Sequence, residues 1–392
     1  QGEIVLPTEG DTPDKTTGWG YIAVQGDVIV AGASPMFWGG KGKPGDSDNW
    51  DATSSRRILV LDRASGKPLW QLDSKCAFRH NAICVSPNML FCIDRLPDPI
   101  LQTMQRRGEE PVSKPALLAL DLHTGRLIWR ADADVFGTWL SYSVERDILL
   151  QSGRPSRDML TDEPGDRMVA FRGTTGEVLW EMKEKYYGPP IILGDRILTQ
   201  TISLGQPGRA LSLLTGKPLL RTDPITGEQT PWQYGRNYGC NTVIASENLI
   251  TFRSAAAGFF DLRTDGGTGN LGGFKSGCTS NLIVANGVLN APDYTRTCTC
   301  SYQNQTSLAF VHDPSVEAWS FNLMDLGEAP IKRVGLNFGA PGDRLAPDGT
   351  LWLDYPSVGG PSPKVEVTFS PATPVQFRHH VSWVKAGDLP WV

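Results

Sequence analysis

Several stretches of this chain carry the residue types that acid–base work on a sugar acid requires. Arg79-His80-Asn81 is one, and Arg236-Asn237-Tyr238-Gly239-Cys240-Asn241 is a second. A third runs from Lys275 to Asn281, and a fourth is Asp293-Tyr294-Thr295-Arg296. Arginine clamps a carboxylate or sulfate through two parallel bonds, and amides bond hydroxyls. Such a set suits an anionic glycan. His80, Tyr238 and Arg236 form the candidate catalytic group for β-elimination on a uronic acid. Arg or Asn would neutralise the carboxylate, His or Tyr would take the C5 proton, and Tyr would protonate the leaving oxygen. Arg79, Asn81, Asn241, Lys275, Asn281, Tyr294 and Arg296 are the expected substrate contacts. Taken singly, each residue has a plainer reading. A lone strand histidine usually packs, Asn and Gly at strand starts usually serve turns, and Arg236 and Arg253 would pair with nearby acids. Recurrence at equivalent places in a repeat is what favours the functional reading.

The repeat itself is a hairpin. Ala116 to Trp129 reads ALLALDLHTGRLIW, and Ile58 to Trp70 reads ILVLDRASGKPLW. Met168 to Trp180 reads MVAFRGTTGEVLW, and Ala210 to Leu220 is a shortened copy. Glycine at the corner supplies the positive φ of a tight turn. A second strand–turn–strand unit precedes each copy, as in Trp19 to Ser34 and His80 to Asp94. Short apolar runs alternate there with polar residues, without a 3.6-residue period. Pairing the units gives six four-stranded blocks, over residues 17–73, 76–132, 136–182, 186–224, 239–274 and 277–322. Four strands recurring at about 40–50 residues indicate an all-β propeller, of six to eight blades. The first strand of each blade lines the channel, so the polar stretches above would meet at one mouth. Trp70, Trp129 and Trp180 are expected between blades, as core.

The [S/T]-G-x-x-x-W hairpins with their LxLD-like strands resemble the quinoprotein, or PQQ-like, propeller repeat over roughly residues 17–322. That repeat occurs in quinoprotein alcohol dehydrogenases and in BamB-type outer-membrane assembly lipoproteins. The resemblance implies the fold and leaves the activity open. The dehydrogenases add an adjacent Cys-Cys disulfide and a calcium-binding acidic cluster, and this chain has neither a Cys-Cys dipeptide nor a haem-attachment motif. No cofactor and no metal are therefore expected. Residues 1–326 are assigned to the propeller and 327–392 to a β-rich C-terminal segment. Within the latter, Lys332 to Gly339 and Gly349 to Tyr355 resemble the opening strands of malectin-like carbohydrate-binding sandwiches. Either that sandwich is truncated, or its strands pack on the propeller.

There are seven cysteines. Cys240 and Cys278 open first strands of consecutive blocks, where a disulfide between them is expected. Cys298 and Cys300 are also assigned to disulfides, in keeping with an oxidising compartment. A net charge of −5 argues against nucleic acid, and no apolar run reaches membrane-spanning length. The chain starts at Gln1 and reads as a mature product or a fragment, with a partner or a missing segment at either end left open. The expected function is extracytoplasmic recognition of a glycan, an acidic polysaccharide, at the channel mouth, with lyase activity as its catalytic form. The alternatives are a BamB-like protein-binding scaffold and a quinone-dependent dehydrogenase.

Overall fold

The computed structural model describes residues 18–36, 54–155, 163–201, 206–272, 282–292, 306–313, 319–323, 328–357 and 366–373. The chain divides into two compact units, Gln1–Gly194 and Asp195–Val392. In the first, β1 (Trp19–Gln25), β2 (Val28–Met36), β3 (Ser54–Asp62) and β4 (Pro68–Val85) form an antiparallel meander. It continues through β5 (Met89–Asp94), the helix α1 (Asp98–Arg106), β6 (Ala116–Asp121) and β7 (Leu127–Ala131). The first two expected blocks are thereby fused into one seven-stranded sheet. The cause is β4, whose start pairs with β3 and whose end pairs with β5. Residues 74–82 contain no Gly or Pro to break the strand. Asp94 also holds them: its carboxylate accepts from Lys75, Cys76 and Ala77 N–H at 2.7, 2.9 and 2.8 Å. The helix lies in a stretch where the strand pattern is silent. It has Asp98 in its first turn and Arg106 in its last, both favourable to its dipole.

The third block is a four-stranded sheet of β8 (Trp139–Ser143), β9 (Ile148–Ser152), β10 (Met168–Arg172) and β11 (Val178–Met182). β12 (Ile191–Leu193) follows. Each hairpin turn is tied by side chains. Asp121 accepts from Thr124 N and Oγ1 at 2.9 and 2.7 Å, and Asp62 does the same for Ser65. The MVAFRG copy has no aspartate there, and Asp147 of the preceding hairpin takes over, accepting from Thr174 N and Oγ1. Two of the expected inter-blade tryptophans are seen at work. Trp70 donates to Leu122 O at 2.8 Å and Trp129 to Gly173 O at 2.6 Å. Each indole lies against the turn glycine of the following block, Gly125 or Gly176, both at positive φ. The first and second blocks thus grip the block that follows through the repeated motif.

In the second unit β13 (Arg196–Leu198) and β14 (Gly208–Ser212) form a hairpin. β15 (Leu220–Thr222) pairs only with β16 (Gln229–Pro231), and β17 (Gln233–Tyr234) takes a place beside β14. The fourth block's expected outer strand meets β14 at the Leu211–Pro218 bridge, flanked by Ser212 N to Lys217 O and Leu219 N to Ala210 O. β18 (Ile244–Ala245), β19 (Leu249–Ser254), β20 (Ala256–Asp261) and β21 (Thr268–Leu271) make the fifth block as expected. β22 (Ile283–Ala285), β23 (Val288–Ala291) and β24 (Leu308–Val311) make a three-stranded sheet, while β25 (Ser320–Phe321) joins β21 instead. The tail adds β26 (Gly335–Phe338), β27 (Arg344–Leu345) and β28 (Leu351–Tyr355), with β26 parallel to β28. Leu351 and Leu353 bury against Ile225 in the β15–β16 turn, with Val334 and Leu345 beside them. The tail strands thus contact the turn of the fourth block. No described helix is long and apolar enough to cross a membrane.

Candidate functional site

The predicted residues fall in both units. Arg79, His80 and Asn81 lie on β4 of the first. Arg236, Tyr238 and Asn241 lie in the second, on the loop between β17 and β18. Lys275, Asn281, Tyr294, Arg296, Cys278, Cys298 and Cys300 lie outside the described residues.

His80 is largely enclosed. Its Nε2 shares a 2.8 Å hydrogen bond with Ser55 Oγ on β3, and its ring lies 6.4 Å from that of Tyr21 on β1. Glycines make this space. A Cβ on Gly20 would come within 2.5 Å of His80, and one on Gly32 within 2.7 Å of Ser55 Oγ. Burial, with the Arg79 charge adding to it, pushes the imidazole pKa down to about 4, so the ring is neutral at pH 7. Burial also raises the Tyr21 phenol to about 12. A serine hydroxyl on an imidazole nitrogen is the spacing of a nucleophile and its base. Ser55, however, has no exposed surface. No substrate atom can approach its oxygen, and the pair serves to satisfy two polar groups inside the sheet. Arg79 is likewise buried, at 3% exposure.

The second group is a folded loop rather than an open cluster. Arg236 Nη1 donates to Asn241 O at 2.9 Å, and Asn241 Oδ1 accepts from Arg253 N at 2.8 Å. Arg236 and Asn241 are both 3% exposed, and Arg253 is fully buried. Arg253 Nε donates to Ala255 O, and its guanidinium sits 5.6 Å from the centre of the Tyr238 ring. Gly239 lets the loop cross Arg253 closely, since a Cβ there would meet Arg253 O at 2.0 Å. Tyr238, at 45% exposure, is the member of the group that faces solvent. Cys240 is a free thiol whose Sγ donates weakly to Tyr238 Oη at 3.5 Å. The expected Cys240–Cys278 bridge involves Cys278, which lies outside the described residues.

Three buried polar residues that hold the elements together escape a strand-by-strand reading. Ser55 sits in a strand of the repeat with nothing to mark it. Asp94 ends β5 yet ties β4. Asp343, before β27, is 4% exposed and accepts from Asn322 N and Nδ2 and from Asp354 N. Burial raises its carboxyl to about 6. Only the spacing of Asp343 to the LWLDY strand offers a cue in the chain itself.

Antiparallel four-stranded meanders, turn-capped hairpins and tryptophans keyed into the next turn define an all-β protein of the PQQ-like propeller class. Residues 113–263 match the family described as outer membrane protein assembly factor BamB. No curated protein sequence matches the chain. Among solved structures, BamB from Moraxella catarrhalis is similar at 11% identity and a TM-score of 0.38, over 76% of this chain and 83% of that one. A europium-containing methanol dehydrogenase is similar at 14% identity and a TM-score of 0.33, over 66% and 55%. The quinohemoprotein alcohol dehydrogenase ADHIIG from Pseudomonas putida HK5 follows at 12% and 0.31, over 61% and 43%.

Proposed function

We propose that this chain is a non-catalytic propeller scaffold, acting outside the cytoplasm, that docks an extended segment of a partner protein. The observation that carries the reading is the enclosure of His80 and the burial of the candidate cations and amide around it and around the exposed Tyr238. Arg79, Arg236 and Asn241 are spent inside the fold, and His80 is bonded to Ser55. Elimination needs those groups at a substrate, and they are not presented to one. The match of residues 113–263 to an assembly factor supports a protein partner. β7 and β11 end their sheets, and Leu127, Ile128 and Val178 on them are exposed. An edge strand with unpaired backbone and alternate apolar side chains accepts an added strand.

A peptide-display selection against the full chain tests this. Enriched peptides with alternating apolar residues, whose binding falls at least about tenfold on Leu127→Lys or Val178→Lys, are expected; tenfold is about 1.4 kcal/mol. Accumulation of unsaturated uronate from an acidic polysaccharide would overturn it. A second reading, recognition of a polysaccharide without cleavage, is favoured by the exposed Tyr238 ring. Glycan-array binding that disappears in Tyr238→Ala would select it.

A further inference from the structure

A cavity of about 590 Å³ lies in the second unit, between the β15–β16 turn and the tail. Its size falls within the roughly 300–1,000 Å³ of sites for small molecules. Ile225, Leu345 and Leu351 give it an apolar side, and Arg221, Lys332 and Arg333 give it a basic one. Both of the latter backbone N–H groups donate to Ile225 O, which fixes where their side chains start. Lys332 Nζ lies 3.0 Å from where a Cβ on Gly227 would be, and Arg333 Nη2 lies 3.1 Å from that of Gly349. The two cations therefore rest over bare backbone. Arg221 Nε is buried without a hydrogen-bond partner, which costs free energy unless something fills the site.

Two carboxylates, Asp223 and Asp265, line the same cavity and offset part of this charge, and Asp348 lies near Arg333. Asp223 Oδ1 accepts from Ile225 N, Thr226 N and Thr226 Oγ1. Asp265 Oδ1 accepts from Trp232 Nε1 at 3.0 Å. Asp348, which feels the Arg333 charge, is bonded to Thr350 N and Oγ1. Three cationic side chains and two carboxylates thus line the cavity, which leaves a net positive lining.

We infer that this cavity binds a small organic anion with an apolar body. The oxyanion sits among Arg221, Lys332 and Arg333, and the ring or chain lies on Leu323 and Leu345, over the buried Ile225 and Leu351. Docking at the β7 and β11 edges does not depend on it. Isothermal titration of the full chain with naphthalene-1-sulfonate tests the assignment, beside a titration with inorganic sulfate. Saturable one-to-one binding is expected, with sulfate at least about tenfold weaker because it lacks the apolar part. Lys332→Met keeps the aliphatic stem and the backbone bond, and should weaken the sulfonate at least about tenfold. Lys67→Met, on an exposed turn of the first unit, should change nothing. In methyl-labelled wild-type protein, the ligand should shift Ile225, Leu323, Leu345 and Leu351 resonances, a readout needing no variant. Absence of saturable binding, equal affinity for sulfate, an unaffected Lys332→Met, or methyl shifts confined to other residues would each overturn the inference.

Discussion

Lowering the pH should loosen the β3–β4 region through one side chain. His80 titrates at about 4 in the fold against an ordinary 6.5. Between those values the unfolded chain binds more protons than the folded one, so stability rises with pH across the window. The contribution is complete above 6.5 and disappears as pH falls through 4. The shift corresponds to about 3 kcal/mol in full, and about 2 kcal/mol of it is gone by pH 5. The assay is amide hydrogen exchange at β3 and β4, corrected for intrinsic rates, from pH 7 to pH 4.5. His80→Asn removes the titrating ring. It should exchange faster than wild type at pH 7, through loss of the Ser55 bond, but with a flatter pH dependence. Equal slopes in wild type and variant would refute the assignment of the acid sensitivity to His80.

The tail should respond with the opposite sign. Asp343 is raised from 3.8 to about 6, so the folded state binds the extra proton and its contribution is lost as pH rises through 6. Exchange at β27 and β28 should therefore be slower at pH 4 than at pH 7, and slower still relative to β3. Gly125→Ala should cost about 1–3 kcal/mol, since φ is +70° and the new Cβ would meet Trp70 at 2.7 Å; a denaturation midpoint measures it. Asp94→Ala removes the acceptor for three N–H groups and should cost at least about 3 kcal/mol, seen as faster exchange at Lys75, Cys76 and Ala77.

The blades were legible because their determinants are local. A turn glycine, the Asp or Thr that ties it and a tryptophan at fixed spacing recur within about a dozen residues, and the structure uses each as the repeat implies. The seam between the first two blocks was less so. It depends on the absence of a breaker over 74–82 and on Asp94, which lies well beyond that stretch. The candidate site was the hardest part, for a physical reason. Whether a strand histidine faces solvent or packs depends on the side chains across the sheet. Gly20 and Gly32 on β1 and β2 open the space that draws His80 and Ser55 inward. Likewise Gly239 brings its loop onto Arg253 and turns Arg236 and Asn241 into supports, leaving Tyr238 outside.

The docking claim is tested most directly by the exchange footprint of a selected peptide on the intact chain. New protection at β7 or β11 amides, with the Tyr238 loop unchanged, is the predicted result. Protection centred on Tyr238 and Asn241, with both edge strands exchanging as in the free protein, would contradict the account.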